Sequence, residues 1–161
     1  MSGEFILGFD PGLSGAVAIL DQHGHLVDVI DMPTVEVKVG TSTKRQVAPA
    51  ALSAELYMFR DAFAYVEKVN AMPGQGVSSM FSLGRSMGVI EGVLAGLSVP
   101  YTMIRPAEWT KAMRLAEGKD GSRQRAMELF PNRADLFKRA KDDGRADAVL
   151  IAAYGRGLHH G

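Results

Sequence analysis

Short apolar runs broken by tight turns open the chain. Glu4-Phe5-Ile6-Leu7-Gly8-Phe9 runs into Asp10, and Pro11-Gly12 follows at once. A run this short and apolar, closed by a Pro-Gly pair, predicts a buried strand with an acid at its end. Ala16-Val17-Ala18-Ile19-Leu20 predicts the second arm of a hairpin, and His25 to Met32 a third strand after the turn Gln22-His23-Gly24. From Pro33 to Gln46, Val35, Val37 and Val39 alternate with polar residues before Gly40-Thr41-Ser42-Thr43-Lys44. That pattern predicts a weak strand or an extended, exposed and mobile loop.

The pattern then changes period. Leu52, Leu56, Phe59 and Phe63 share one face of a helix predicted over 48–63, and 62–69 returns to strand character, with Glu67 near its end. Asn70 to Gly76 is a loop by composition. Ser78 to Leu97 predicts the longest helix, with Met80, Leu83, Met87, Ile90, Leu94 and Leu97 three and four apart. On an adjacent stripe Gly84, Gly88, Gly92 and Gly96 recur every four residues. Each costs about 1 kcal/mol against alanine in a helix interior, so the stripe implies close approach by the chain's own sheet or by the same helix of a second copy. A strand over 100–104 and helices over 107–114, 122–130 and 143–156 complete a mixed sheet with helices on its faces.

At 161 residues the chain is long enough for one domain with a real core. It has no cysteine, which removes disulfides and thiolate metal sites and fits a reducing cytoplasm. No run is long and apolar enough to span a membrane, and no secretory leader is predicted. Net charge is zero. The cations are nevertheless uneven. Lys38, Lys44 and Arg45 share one polar segment, and ten more, from Arg105 to Lys141, crowd the last third. A neutral total can therefore hide a basic face.

Acids stand at the ends of three predicted elements: Asp10, Glu67, and Asp143 with Asp147. Asp10 has two readings, a turn cap or a charge that needs a cation partner. Asp142 and Asp143 suit the start of the last helix. Asp147 lies within an apolar run, where it needs an ion-pair partner or a metal. Gathered carboxylates raise one another's pKa unless a cation neutralises them. Oxygen ligands without Cys or His suit Mg²⁺ or Mn²⁺. Two such ions about 4 Å apart can stabilise both the attacking and the leaving oxygen of a phosphodiester. No Ser-His-Asp arrangement and no phosphate-binding glycine loop of the usual spacing is present.

In order along the chain, Ile6-Leu7-Gly8-Phe9-Asp10-Pro11-Gly12, Glu67-Lys68-Val69, Ser82-Leu83-Gly84-Arg85-Ser86-Met87-Gly88 and Ala146-Asp147-Ala148 resemble the RuvC family of Holliday junction resolvases. The wording around Glu67 and the last helix looks closer to its bacteriophage or prophage members. The resemblance implies an α/β fold like ribonuclease H, a five-stranded mixed sheet with helices on both faces. It implies a homodimer through the helix over 78–97 that nicks four-way DNA junctions with Mg²⁺, placed in the cytoplasm of a bacterial host or at its nucleoid. Asp10, Glu67 and Asp147 match the family's acids, and Lys111 matches a basic residue near the site. Gly144 stands where the family has a further acid, so Asp143 is taken as the fourth ligand, with Asp142 the alternative. Asn70 stands where the family has an aromatic wedge, a part that Met72 or Phe81 could take. Lys119 and Arg123 are both candidates for the second basic residue. Candidate DNA contacts are Asn70, Met72, Arg85, Arg105, Lys111, Lys119 and Arg123. Three other readings remain: a branched-DNA-binding protein that does not cut, an interaction module, and an ATPase of the actin and sugar-kinase type, which would need two such lobes.

Overall fold

The computed structural model describes residues 5–160; Glu4, which opens the first predicted strand, lies outside them. Strands β1 (Phe5–Asp10), β2 (Ala16–Asp21) and β3 (Leu26–Asp31) form the expected antiparallel meander. The next segment departs from expectation. It is a second, separate hairpin of β4 (Thr34–Val39) and β5 (Ser42–Val47), in register from Thr34 opposite Val47 to Val39 opposite Ser42. Gly40 makes its turn at a φ of +63°. β5 begins Ser-Thr-Lys-Arg-Gln, so no apolar alternation advertised it. The ladder is anchored at its base instead, where Val47 and Met32 are buried and the Ala48 N–H donates to the Pro33 carbonyl.

Helix α1 (Pro49–Leu56) is shorter than predicted, and a 3₁₀ turn over Tyr57–Phe59 leads into β6 (Phe63–Glu67). Phe63 belongs to the strand because its ring packs on Tyr65 and His159, across the sheet from Leu52 and Leu56. The long helix α2 spans Val77–Gly96, and β7 follows at Tyr101–Ile104. Then come α3 (Pro106–Ala112), α4 (Gly121–Leu129) and α5 (Asp143–His160). The connection from α4 to α5 is no mere polar turn. It contains 3₁₀ segments at Pro131–Phe137 and Ala140–Asp142, and Phe137 is fully buried.

The main sheet has the order β3-β2-β1-β6-β7, with β6 parallel to β1 and to β7. Period-two alternation divides its side chains between two cores. Leu7, Phe9, Val17, Ile19, Ala64 and Val66 face α1 and α2, while Ile6, Ala16, Ala18, Leu20 and Tyr65 face α5. No helix among the described residues is long and apolar enough to cross a membrane.

Helix α5 lies directly on β1. A Cβ at Gly8 would stand 2.3 Å from the Ala148 carbonyl oxygen and 2.4 Å from the Ala152 nitrogen. The stripe on α2 is the opposite case: at Gly84, Gly88, Gly92 and Gly96 no described atom beyond the helix's own adjacent backbone lies within 4 Å of where a Cβ would be. The sheet beneath therefore does not explain that stripe. Replacing Gly8 by alanine drives a methyl into helix backbone, and a loss of about 1–3 kcal/mol is expected, read as a lower urea midpoint. Gly157→Ala, in the same helix but over open space, should instead gain up to about 1 kcal/mol.

Candidate active site

Asp10 closes β1 on the face of Ile6 and Gly8, and Glu67 closes β6 on the face of Phe63 and Tyr65. That is the α5 side of the sheet. The parallel register ends with Phe9 beside Val66, so the two acids occupy the next step of neighbouring strands. Asp147 lies one turn into α5, beside Ala148, whose carbonyl caps Gly8. Three separate elements thus bring three carboxylates to one end of the sheet.

Their electrostatics report the crowding. Burial, then the charges of Asp147 and Glu67, push the Asp10 carboxyl up to about 7, against a weak bond from the Gly12 N–H at 3.4 Å. Burial also pushes Asp147 up to about 6; the Ser122 hydroxyl opposes this, and Glu67 and Asp143 add to it. Glu67 is raised by burial and lowered by the Trp109 indole, whose Nε1–H donates to its Oε2 at 2.6 Å. Trp109 is buried in the core beneath the site. No spacing rule links it to an acid 42 positions away, so only the fold reveals it.

Two questions left open by the sequence separate here. Asp142 is buried and fully engaged. Against the cost of burial, the Arg139 guanidinium and backbone N–H hold its carboxylate low, in bonds of 2.9–3.2 Å. Asp143 is more exposed, and its Oδ1 accepts from Arg123 Nε at 2.9 Å. Gly144 has a steric reason. A Cβ there would meet the Ser14 carbonyl at 2.3 Å and Asp10 Oδ2 at 3.2 Å. The start of α5 is wedged against the turn after β1, with no room for an acid at that position. Arg145 adds a clamp, donating to both oxygens of Asp31 at 2.7 and 2.8 Å.

The candidate DNA contacts scatter. Arg123 is only 12 % exposed and is spent on Asp143, Asp120 and the Lys138 carbonyl. Arg105 pairs with Glu108 at 2.7 Å. Lys111 and Lys119 are exposed and form no ion pair among the described residues. Asn70 and Met72 lie on the exposed loop before α2, and Phe81 is exposed on its first turns. Arg85 is half-buried and reaches the Val47 carbonyl at 3.4 Å.

As placed, no three acidic or histidine side chains among the described residues converge closely enough to hold one ion between them. The donor chemistry still fits a hard divalent cation: oxygens only, partly buried, and mutually repelling until a positive charge is shared.

No family profile matches the chain. Over 122 residues, 70 % of this chain, it is 35 % identical to the chloroplastic Holliday junction resolvase MOC1 of Chlamydomonas reinhardtii. That match spans only 14 % of the relative's own length. Among solved structures, T. thermophilus RuvC in complex with Holliday junction substrate superposes with a TM-score of 0.60 at 15 % identity, over 98 % of this chain and 96 % of that one. The yeast mitochondrial Holliday junction resolvase Ydc2 does so with a TM-score of 0.56 at 16 % identity, over 99 % and 80 %.

The raised acids have a consequence for stability without metal. Between roughly pH 4 and 7 the folded protein keeps a proton on Asp10 that the unfolded chain has released, so stability falls as pH rises through that window. In chelator, the melting temperature should drop by several degrees from pH 5 to 7.5. Asp10→Asn should flatten that slope and melt above wild type at pH 7.5. The chain thus shares its fold with the RuvC and Ydc2 structures, and over 122 residues its sequence is similar to that of a Holliday junction resolvase.

Proposed function

We propose that the chain is a structure-selective endonuclease that hydrolyses phosphodiester bonds in four-way DNA junctions, and that it does so with Mg²⁺, or Mn²⁺ in its place. The observation that carries this reading is the arrival of Asp10, Glu67 and Asp147 from β1, β6 and α5 at one end of the sheet, each with its carboxyl raised. The junction itself is inferred from the resolvases the chain resembles in sequence and fold.

In this reading Asp10, Glu67 and Asp147 hold the metal, and Asp143 joins them by exchanging Arg123 for the ion. A bound divalent cation supplies Lewis-acid stabilisation of the phosphate and a water of lowered pKa. The residues do the rest. Trp109 donates to Oε2 of Glu67, so Oε1 is the oxygen that would be offered to an ion. Lys111, exposed in the last turn of α3, stands to contact phosphate. The open glycine stripe on α2 suits close approach by a second copy, and a two-fold pair of sites would match two opposing cuts in a symmetric junction.

The test is cleavage of a fixed four-way junction beside a linear duplex of matched sequence, with Mg²⁺, with Mn²⁺ and with chelator. Paired nicks confined to the junction, lost in chelator and in Asp10→Asn, are the expected result. Cutting of forks and flaps as well would broaden the substrate to branched DNA. Junction binding without any cutting would favour a protein that only binds such DNA. Trp109→Phe removes a charge-assisted bond from a ligand, and outer-shell losses typically weaken metal binding about 10–100-fold. Calorimetric titration with Mn²⁺ should show at least the lower figure, with the fold retained by circular dichroism.

A further inference from the structure

Internal pairing removes several of the cations that the sequence concentrates in the last third. In the last third, Arg105, Arg123, Arg125, Arg139 and Arg145 are all taken up by carboxylates of their own chain. Lys44, Arg45 and Arg85 are different. They bond only neutral oxygens, namely Ser78 Oγ at 3.1 Å, the Leu13 carbonyl at 2.7 Å and the Val47 carbonyl at 3.4 Å.

These three cations line one cleft. It lies between the β4–β5 hairpin and the first half of α2, encloses about 500 Å³, and continues into a smaller recess of about 100 Å³ toward the hairpin tip. Its lining includes Ser14, Ser78 and Ser82, and none of the described residues lining either part is acidic. A protein of zero net charge has gathered three unneutralised cations and a row of hydroxyls on one concave surface. That chemistry suits a run of phosphates: Lys and Arg neutralise them, and serine hydroxyls donate to their oxygens.

The cleft also adjoins the acids. Leu13 and Ser14 form its near wall and follow Asp10 by three and four residues. The Ser14 carbonyl and Asp10 Oδ2 both border the space that a Cβ on Gly144 would occupy. A strand lying across the acids can therefore pass over the turn after β1 into the cleft. We propose that this cleft is a phosphate track for the DNA strand on one side of the scissile bond, and that the β4–β5 hairpin serves as its wall. The track grips backbone rather than bases, so it sets affinity without sequence preference. The proposal rests on the nuclease reading for the choice of DNA as the polyanion.

The test is a salt titration of binding in chelator, for a four-way junction and for an unbranched single strand. Wild type, Lys44→Ala, Arg85→Ala, the double variant and Lys44→Arg are compared, with Lys141→Ala as a control from the last third. Each lost phosphate contact should lower the slope of log K against log salt by about 0.7–0.9. The double variant should lose nearly two such steps on junctions of any sequence, while Lys44→Arg and Lys141→Ala keep the wild-type slope. Circular dichroism of the variants establishes that the losses are not unfolding. If wild type cuts junctions and the double variant binds them with an unchanged slope, the track is overturned and the nuclease reading stands. If the slope on single strands falls as expected but junctions are neither bound nor cut by wild type, the track stands and the resolvase reading falls.

Discussion

The contact between α5 and β1 governs the molecule. Gly8 has no side chain, so the backbone of α5 at Ala148 and Ala152 settles directly on the strand. That depth places Asp147 beside the strand end that carries Asp10. A larger residue at Gly8 would press on the helix that carries Asp147. The same logic repeats at Gly144, where α5 begins against the turn after β1, and at Gly155, over whose Cα the Tyr65 ring is packed. Three glycine contacts along one helix and one sheet face set the height of the site.

Clamps around the start of α5 keep it there. Arg145 ties it to the end of β3 through Asp31, and Arg139 fills the buried Asp142. Arg123 bridges α4 and the first residue of α5. These pairs withdraw Arg123, Arg139 and Arg145 from the cations that so basic a region offers to a ligand. Charge read along a chain counts residues. Charge read in a fold counts what remains after internal pairing, and here part of that remainder lies between the hairpin and α2.

The sheet was legible because its strands obey simple periodicity. Ile6 to Phe9 and Ala16 to Leu20 alternate between two cores, and the Pro-Gly turn after Asp10 marks the strand end. The three acids were legible for a related reason, since a carboxylate at the edge of an apolar run is conspicuous. The β4–β5 hairpin was half visible: Val35, Val37 and Val39 showed one arm, while the polar second arm is held by backbone ladder bonds that leave no hydrophobic signature. The end of α1 was misplaced because Phe59 and Phe63 continue its helical spacing, although Phe63 packs across the sheet. Arg123 and Trp109 illustrate the remaining limit. One looked free and is buried in ion pairs; the other looked like ordinary core and is bonded to Glu67. Both facts depend on contacts between segments distant in sequence.

Trp109 is the chain's single tryptophan, and its indole N–H is the group bonded to Glu67. The indole emission of this protein therefore has one address. The molecule carries its own optical probe of the acid cluster, with no label to attach and no second indole to subtract.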